Sequence, residues 1–234
     1  MRQYSIDARN IKNPIYPCPI KMGGKNANGQ MLSIGNYYLS LNGKPFFGIC
    51  GEAHFSRMNR ELWEDEIIKM KAGGLNIIAT YIFWIHHEEI EGTFDFSGNK
   101  DLRFFLELCK KNNMYVILRI GPFSHGECRN GGFPDWMYGQ PFDIRCDDPS
   151  YLFYTRRFYE QIYQQAKGLL FKDNGPVIGV QLENEHEHAS CPWEMTTENS
   201  KEWVVSGHDG KNHMNTLKKI AKEVGFDVPL YTAT

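Results

Sequence analysis

A cluster of acids and amides that ends one apolar segment is the first candidate for chemistry in this sequence. "VIGVQLENE" runs from Val177 to Glu185 and passes from aliphatic into polar residues. Successive side chains of a strand point to opposite faces, so Gln181, Glu183 and Glu185 share one face. We expect Glu183, the deeper acid, to be structural. Glu185 lies at the end, where a carboxyl group can meet a ligand, with Asn184 as its neutral hydrogen-bonding neighbour.

Three other segments also end in polar side chains. They are Glu52 and His54; Trp84, His86 and His87; and Ser124, His125 and Glu127. The histidines could form a metal cluster, but such residues are more often hydrogen-bonding wall groups, so we expect no metal and no cofactor. His186 and His188 follow the fourth segment, and we expect them on a solvated loop.

Strand-like and helix-like segments alternate along the chain and must position these residues. The strand-like runs are "FFGICGE", "LNIIATYIFW", "YVILRIGPF", "VIGVQLENE" and "VPLYTAT", with helical patterns between them. Before them, Asn42-Gly43 predicts a hairpin turn, because both residues tolerate positive φ. Alternation with apolar strands predicts an α/β fold with a parallel sheet, either an open doubly wound sheet or a barrel. Polar residues at four successive strand ends favour the barrel, whose active sites lie at that end.

Side-chain parity predicts which residues face the interior of such a barrel. Ile178, Val180 and Leu182 share an apolar parity and are expected to face the helices. In the preceding strand Val116, Leu118 and Ile120 form the apolar set, so Arg119, on the other parity, is expected to point inward. Because a charge inside a barrel must be paired, we expect Arg119 to contact a carboxylate, with Glu183 as the first choice.

Bulk composition excludes some classes of protein and leaves others open. The 234 residues carry a formal net charge of −2, which does not indicate a nucleic-acid partner. No apolar run is long enough to span a bilayer, and the first twenty residues show no secretory signal. Six scattered cysteines form no CxxC pair, and free thiols in a reducing compartment are the simplest reading. We therefore expect a cytoplasmic protein.

Five segments together resemble glycoside hydrolase family 35, the β-galactosidases. They are "AHFSR", "KMKAGGLNIIATYIFW", "RIGPFSHGECRNGGFPDWM", "GPVIGVQLENE" and "VPLYTAT", in the family's order. The similarity covers roughly residues 32 to 234. It implies a (β/α)8 TIM barrel that removes terminal β-galactosyl residues with retention of configuration. The sequence departs from the family pattern where Ile85 and Glu89 replace an Asn and a Pro, and where His186 follows Glu185 in place of an aromatic residue.

Carried over residue by residue, the resemblance assigns roles to five positions. Glu185 becomes the general acid/base, Asn184 binds near the sugar 2-hydroxyl, and Tyr81 and Glu127 contact galactose hydroxyls. Trp84 is a further expected substrate contact, in the aromatic floor of the site. A retaining enzyme also needs an ionised carboxylate about 5 Å from the acid. By the family pattern this nucleophile ends the seventh strand, so we expect it to lie outside these 234 residues.

The expected organisation is an irregular extension over residues 1–30 and a partial catalytic barrel over residues 31–234. About five of the eight βα units are present, and the open edges of such a sheet predict self-association. Two other functions stay open at this stage. One is a non-catalytic carbohydrate-binding barrel, since a site with a single carboxylate can still bind a β-galactoside. The other is a metal-dependent hydrolase, which would lose activity with a chelator.

Overall fold

The structure is a computed structural model that describes residues 4–5, 14–17, 24–186 and 210–233. Two sheets organise this part of the chain. The first is antiparallel, in the order β1-β2-β3-β4, and the second is parallel, in the order β5-β6-β7-β8-β9. Parallel strands in chain order, with helices between them, confirm the predicted α/β class. The five strands do not close into a barrel within the described residues.

The antiparallel sheet comprises β1 (Gly24–Lys25), β2 (Met31–Ile34), β3 (Leu39–Leu41) and β4 (Lys44–Phe46). The predicted hairpin is confirmed, because Leu41 pairs with Lys44 across a turn in which Asn42 and Gly43 both have positive φ. The Asn42 side chain also accepts a hydrogen bond from the Met31 N–H at 2.8 Å, which ties the turn to β2. This sheet begins at Gly24, inside the segment expected to be irregular.

The parallel sheet and its helices follow the predicted alternation. Its strands are β5 (Cys50–Glu52), β6 (Ile77–Tyr81), β7 (Tyr115–Arg119), β8 (Val177–Gln181) and β9 (Leu230–Tyr231). The helices are α1 (Trp63–Ala72), α2 (Trp84–His87), α3 (Leu102–Lys111), α4 (Pro149–Ala166) and α5 (Gly210–Val224). Local sequence sets their ends: Asp101 and Asp148 accept N-cap hydrogen bonds at α3 and α4, and Gly73 and Gly74 end α1. None of the helices in these described stretches is long and apolar enough to cross a membrane.

Two apolar clusters lie on opposite faces of the parallel sheet. The larger one joins the helices to Val116, Leu118, Val180 and Leu182. The smaller one joins Leu32 of the antiparallel sheet to buried Ile77, Phe171 and Ile178, with Phe46, Tyr115 and Ile117 packed against them. The antiparallel sheet therefore contacts the parallel sheet around the residues where β6, β7 and β8 begin.

The predicted orientation of Ile178 is wrong, and the register explains why. Val116 pairs with Val177, but the next residue of β7, Ile117, pairs with Gly179. One extra residue on β8 reverses the side-chain parity at that point, as a β-bulge does. Ile178 therefore packs with Ile77 in the smaller cluster, while Val180 and Leu182 face the helices as expected.

The short helix α2 places the side chains of Trp84 and His87, both candidates for the site in the sequence, in the core. His87 is fully buried, its ring stacks on Phe96 with centroids 4.4 Å apart, and its Nδ1–H donates to the Asp95 carbonyl oxygen at 3.0 Å. Burial lowers the pKa of His87 from 6.5 to about 4, because a charged imidazolium would lose its hydration there.

We predict a pH-dependent stability from this histidine. Above about pH 6.5 His87 is neutral in the folded and unfolded states, so folding releases no proton from it and its contribution to stability does not depend on pH. As the pH falls from about 6.5 to about 4, only the unfolded state binds the proton, and the free energy of unfolding should drop by on the order of 3 kcal/mol. Urea unfolding of wild type and His87→Gln across this range measures it. The variant should lose less stability on acidification than wild type.

His125→Gln, at a half-buried histidine in the loop after β7, is the matched control and should keep the wild-type pH dependence. An identical fall in stability for His87→Gln and wild type would contradict the assignment.

Candidate active site

The side-chain oxygen of Asn184 is the point on which three strands converge. Its Oδ1 accepts hydrogen bonds from Tyr81 Oη at 3.1 Å, Arg119 Nη2 at 2.8 Å and Gln181 Nε2 at 3.2 Å. Arg119 and the Gln181 amide nitrogen can only donate, which fixes the orientation of the Asn184 amide. Its Nδ2 group has no hydrogen-bond partner among residues 24–186 and 210–233, so its two N–H donors remain for a ligand.

The three donors come from one level of the parallel sheet. Tyr81 of β6 pairs with Arg119 of β7, and Arg119 pairs with Gln181 of β8. These are the last residues of their strands. The sequence prediction that the carboxyl ends of the strands gather polar groups is therefore confirmed for these strands, and Tyr81 and Asn184 lie together as expected.

Arg119 points inward, but its predicted partner is wrong. It forms an ion pair with Glu52, at the end of β5, and not with Glu183. Its guanidinium also lies 3.7 Å from the centroid of the Tyr81 ring, within cation–π range. Burial is the main factor that lowers the pKa of Arg119. Glu183 is unavailable to it because another arginine occupies that carboxylate.

That arginine is Arg145, which the sequence analysis missed. Its Nε and Nη2 donate to the two oxygens of Glu183 at 2.9 and 2.7 Å, and both side chains are fully buried. Arg145 Nη2 also reaches the Asn184 carbonyl oxygen at 3.2 Å, and Glu183 accepts from the Asn184 N–H at 3.0 Å. Glu183 is thus structural, as expected, and this ion pair holds Asn184 from its backbone side. The only clue in the sequence was that a buried Glu183 needs a cation.

Glu127 and Glu185 are exposed acids on loops, and both act on Tyr81. Their φ angles are +46° and +47°, and the Glu185 N–H donates to the Ala233 carbonyl oxygen at 3.0 Å. Burial raises the pKa of Tyr81, and the negative charges of Glu127 and Glu185 raise it further. Neither carboxylate takes part in an ion pair within the described part of the chain. Two carboxylates without an ion pair in these residues are therefore close enough to the Tyr81 hydroxyl to act on its charge.

Trp84 is not part of this group. Its side chain is fully buried and stacks on Phe158 of α4, with centroids 4.5 Å apart and ring planes within 4°. Its Nε1–H donates to Glu88 Oε2 at 2.7 Å. Strand β6 ends at Tyr81, so Trp84 falls in α2 and its ring turns into the core. The expected sugar contact of Trp84 has no support in this geometry.

The histidines are wall and core groups. His54 Nδ1 accepts from the Tyr81 N–H at 3.3 Å, and its pKa falls to about 4, mainly through burial and then through the charge of Arg57. His86 Nδ1 lies 2.8 Å from Ser56 Oγ. Across the described ranges, no group of three histidine, cysteine or acidic side chains is arranged to hold a metal ion.

His186 is buried, which contradicts the expectation of a solvated loop. Its ring is 2% exposed, and its Nε2–H donates to the Arg145 carbonyl oxygen at 3.0 Å. The ring lies 5.2 Å from His213 of α5, whose Nδ1 is 2.8 Å from Asp147. His186 thus fixes the backbone directly after Glu185. Glu187 and His188 lie outside the described residues.

Two solved structures share this fold with the chain. The chain matches an exo-β-1,4-mannosidase, Op5Man5, from Opitutaceae bacterium strain TAV5, with a TM-score of 0.56 and 15% identity over 89% of this chain and 33% of that one. It also matches GH5_18 from Streptomyces cattleya in complex with GlcNAc, with a TM-score of 0.60 and 8% identity over 80% of this chain and 44% of that one. At these identities the match shows the fold alone.

Sequence comparisons identify the family to which the chain belongs. A family model described as "Glycosyl hydrolases family 35" matches residues 38–228. A β-galactosidase from Xanthomonas manihotis is 36% identical over 72% of this chain and 28% of its own length. The β-galactosidase of Homo sapiens is 38% identical over 70% and 25%, and β-galactosidase-1-like protein 3 of Mus musculus is 32% identical over 86% and 28%. The chain belongs to glycosyl hydrolases family 35, and it spans about a quarter of the length of these relatives.

The buried Arg145–Glu183 pair gives a stability prediction. Glu183→Gln removes the carboxylate charge that both Arg145 hydrogen bonds meet, and breaking a buried ion pair by removing one partner typically costs about 3–5 kcal/mol. Chemical unfolding should show a loss of this size in the free energy of unfolding.

Glu223→Gln is the matched control, because Glu223 pairs with Arg156 on the surface and is 42% exposed. It should unfold with the wild-type midpoint, since exposed pairs contribute little. Equal losses in the two variants would show that burial of the Arg145–Glu183 pair has no special weight.

Proposed function

We propose that this chain forms part of a retaining β-galactosidase, in which Glu185 is the general acid/base. One observation carries the proposal. Within the described residues, Asn184 uses its Oδ1 on three donors and its Nδ2 has no partner, and Glu127 and Glu185, whose charges act on Tyr81, form no ion pair. Amide, phenol and carboxylate groups are what a galactose with several hydroxyls needs for hydrogen bonds. The family relationship supplies the sugar, because relatives of this family are β-galactosidases.

The roles follow from where each group is held. Glu185 is exposed and forms no ion pair with any described residue, so its carboxyl group can donate a proton to the leaving oxygen and later take one from water. Asn184 is buried and held from both sides, which suits a group that orients the sugar 2-hydroxyl. Glu127 and the Tyr81 hydroxyl would bind the other hydroxyls of galactose. Precise placement of such groups accounts for much of an enzyme's rate enhancement.

The second catalytic carboxylate is the next requirement. A retaining reaction needs an ionised carboxylate that attacks the anomeric carbon and later releases the sugar to water. Glu52 and Glu183 are both held in ion pairs with arginines, which makes them poor nucleophiles. We therefore propose that the nucleophile lies outside these 234 residues, in a complete (β/α)8 barrel. The outer strands β5 and β9 would pair with the remaining units, and self-association of the isolated chain stays a prediction.

Leaving-group dependence tests the role of Glu185. In the complete enzyme, Glu185→Gln should slow hydrolysis of alkyl galactosides by on the order of 100- to 10,000-fold, because a poor leaving group needs the proton. Nitrophenyl galactosides need less proton donation, so their first step should slow far less. The measurement is kcat/KM across leaving groups of different acidity.

Glu89→Gln, at an exposed acid in the segment after α2, is the matched control and should leave the leaving-group dependence unchanged. Equal losses for alkyl and nitrophenyl substrates in Glu185→Gln would remove the acid/base assignment. A wild-type enzyme that binds galactose but hydrolyses none of these substrates would favour the non-catalytic sugar-binding barrel.

A further inference from the structure

A second polar cavity lies at the opposite end of the parallel strands from the candidate active site. It has a volume of about 610 Å³ and lies next to the residues where β7 and β8 begin. Tyr115, the first residue of β7, lines it, whereas Arg119, the last residue, belongs to the active site. The two residues are four steps apart along the strand, which corresponds to about 13 Å. The cavity is therefore a separate place on the molecule.

The chemistry of its lining is unusual for an unused surface depression. Five of its residues have carboxamide side chains: Asn26, Asn28, Gln30, Asn113 and Asn174. Tyr115, which is half-buried, adds an aromatic ring to the lining, and the buried Phe171 supports it from the core with ring centroids 6.3 Å apart. Lys110 is the one charged residue among the described residues that line it, and no carboxylate does. Such a lining suits neither a metal ion nor a polyanion.

Hydrogen bonds inside the lining hold its walls in place and leave several donors and acceptors for a ligand. Asn174 Oδ1 accepts from the Asn28 N–H at 2.9 Å, and the Ala27 N–H donates to the Lys172 carbonyl oxygen at 3.1 Å. Asn26 closes the turn to Gln30 with a bond of 2.9 Å from the Gln30 N–H. In contrast, the side-chain amides of Asn28 and Asn113 make no hydrogen bond to any described residue. The walls are fixed before a ligand arrives, which lowers the entropic cost of binding.

From these features we infer that this cavity binds a neutral saccharide. A carboxamide offers two donors and an acceptor, which matches hydroxyl groups that both donate and accept. The ring of Tyr115 matches the apolar C–H face of a pyranose, as aromatic rings do in other small-molecule sites. The inference does not rest on the proposed function, because the two sites share no residue. A second sugar site would hold an oligosaccharide to the enzyme away from the bond that is cut.

The test is an NMR titration of the chain with lactose, read on the side-chain NH₂ signals of the asparagines. The signals of Asn28, Asn113 and Asn174 should shift in a saturable way, in wild type and equally in Glu127→Gln. Two variants weaken the site without disturbing the backbone. Asn113 has a φ of +53°, which glycine adopts freely, so Asn113→Gly removes only the amide; Asn28→Ala keeps the N–H that bonds to Asn174. Each should weaken lactose binding by about two- to tenfold.

Asn215→Ala is the matched control, because Asn215 is an exposed asparagine of α5 whose side chain makes no hydrogen bond to any described residue and does not line the cavity. It should bind lactose as wild type does. A shift confined to the NH₂ signals of Asn184 would overturn this inference and leave the proposed function intact. Shifts at the three asparagines without any at Asn184 would support the inference and count against the proposed function. No saturable shift at the three asparagines overturns it.

Discussion

The side-chain oxygen of Asn184 imposes the constraint on which the rest of the site depends. Three donors from one level of the sheet, Tyr81, Arg119 and Gln181, reach the same atom. That convergence is possible only when the three strands are in this register, so the geometry of the site is a direct consequence of strand pairing. A shift of one residue in any of these strands would turn its donor to the other face.

The buried ion pair of Arg145 and Glu183 holds the backbone of Asn184, whereas the three donors hold its side-chain oxygen. Each charge is costly to bury alone, but two hydrogen bonds between them, and further bonds to the Asn184 backbone, offset that cost. Glu183 and Glu185 both adopt positive φ, which few non-glycine residues do without support. We infer that the pair maintains this backbone, with His186 fixing the following residue, so that Glu185 stays at the mouth of the site.

The sequence predicted the features that depend on periodicity. Alternation of strands and helices, the Asn42-Gly43 turn and the structural role of Glu183 follow from local patterns, whereas the family resemblance is what named Tyr81 and Asn184 as members of one site. The errors have a common cause, which is that they depend on contacts distant in sequence. Arg145 lies 38 residues before Glu183, and its loop carries no signal of burial. The bulge at Ile178 and the turn of Trp84 into the core depend on packing against partners that the pattern of one segment does not name.

The central claim is that Tyr81, Glu127, Asn184 and Glu185 bind one galactose together. A crystal structure of the chain soaked with a galactose-derived iminosugar tests it most directly. We predict density for the sugar beside Tyr81, with hydroxyl groups within hydrogen-bond distance of Asn184 Nδ2 and the Glu127 carboxylate, and with Glu185 facing its glycosidic side. Crystals in which Tyr81, Glu127 and Asn184 contact only solvent at a saturating concentration of the ligand would contradict the account.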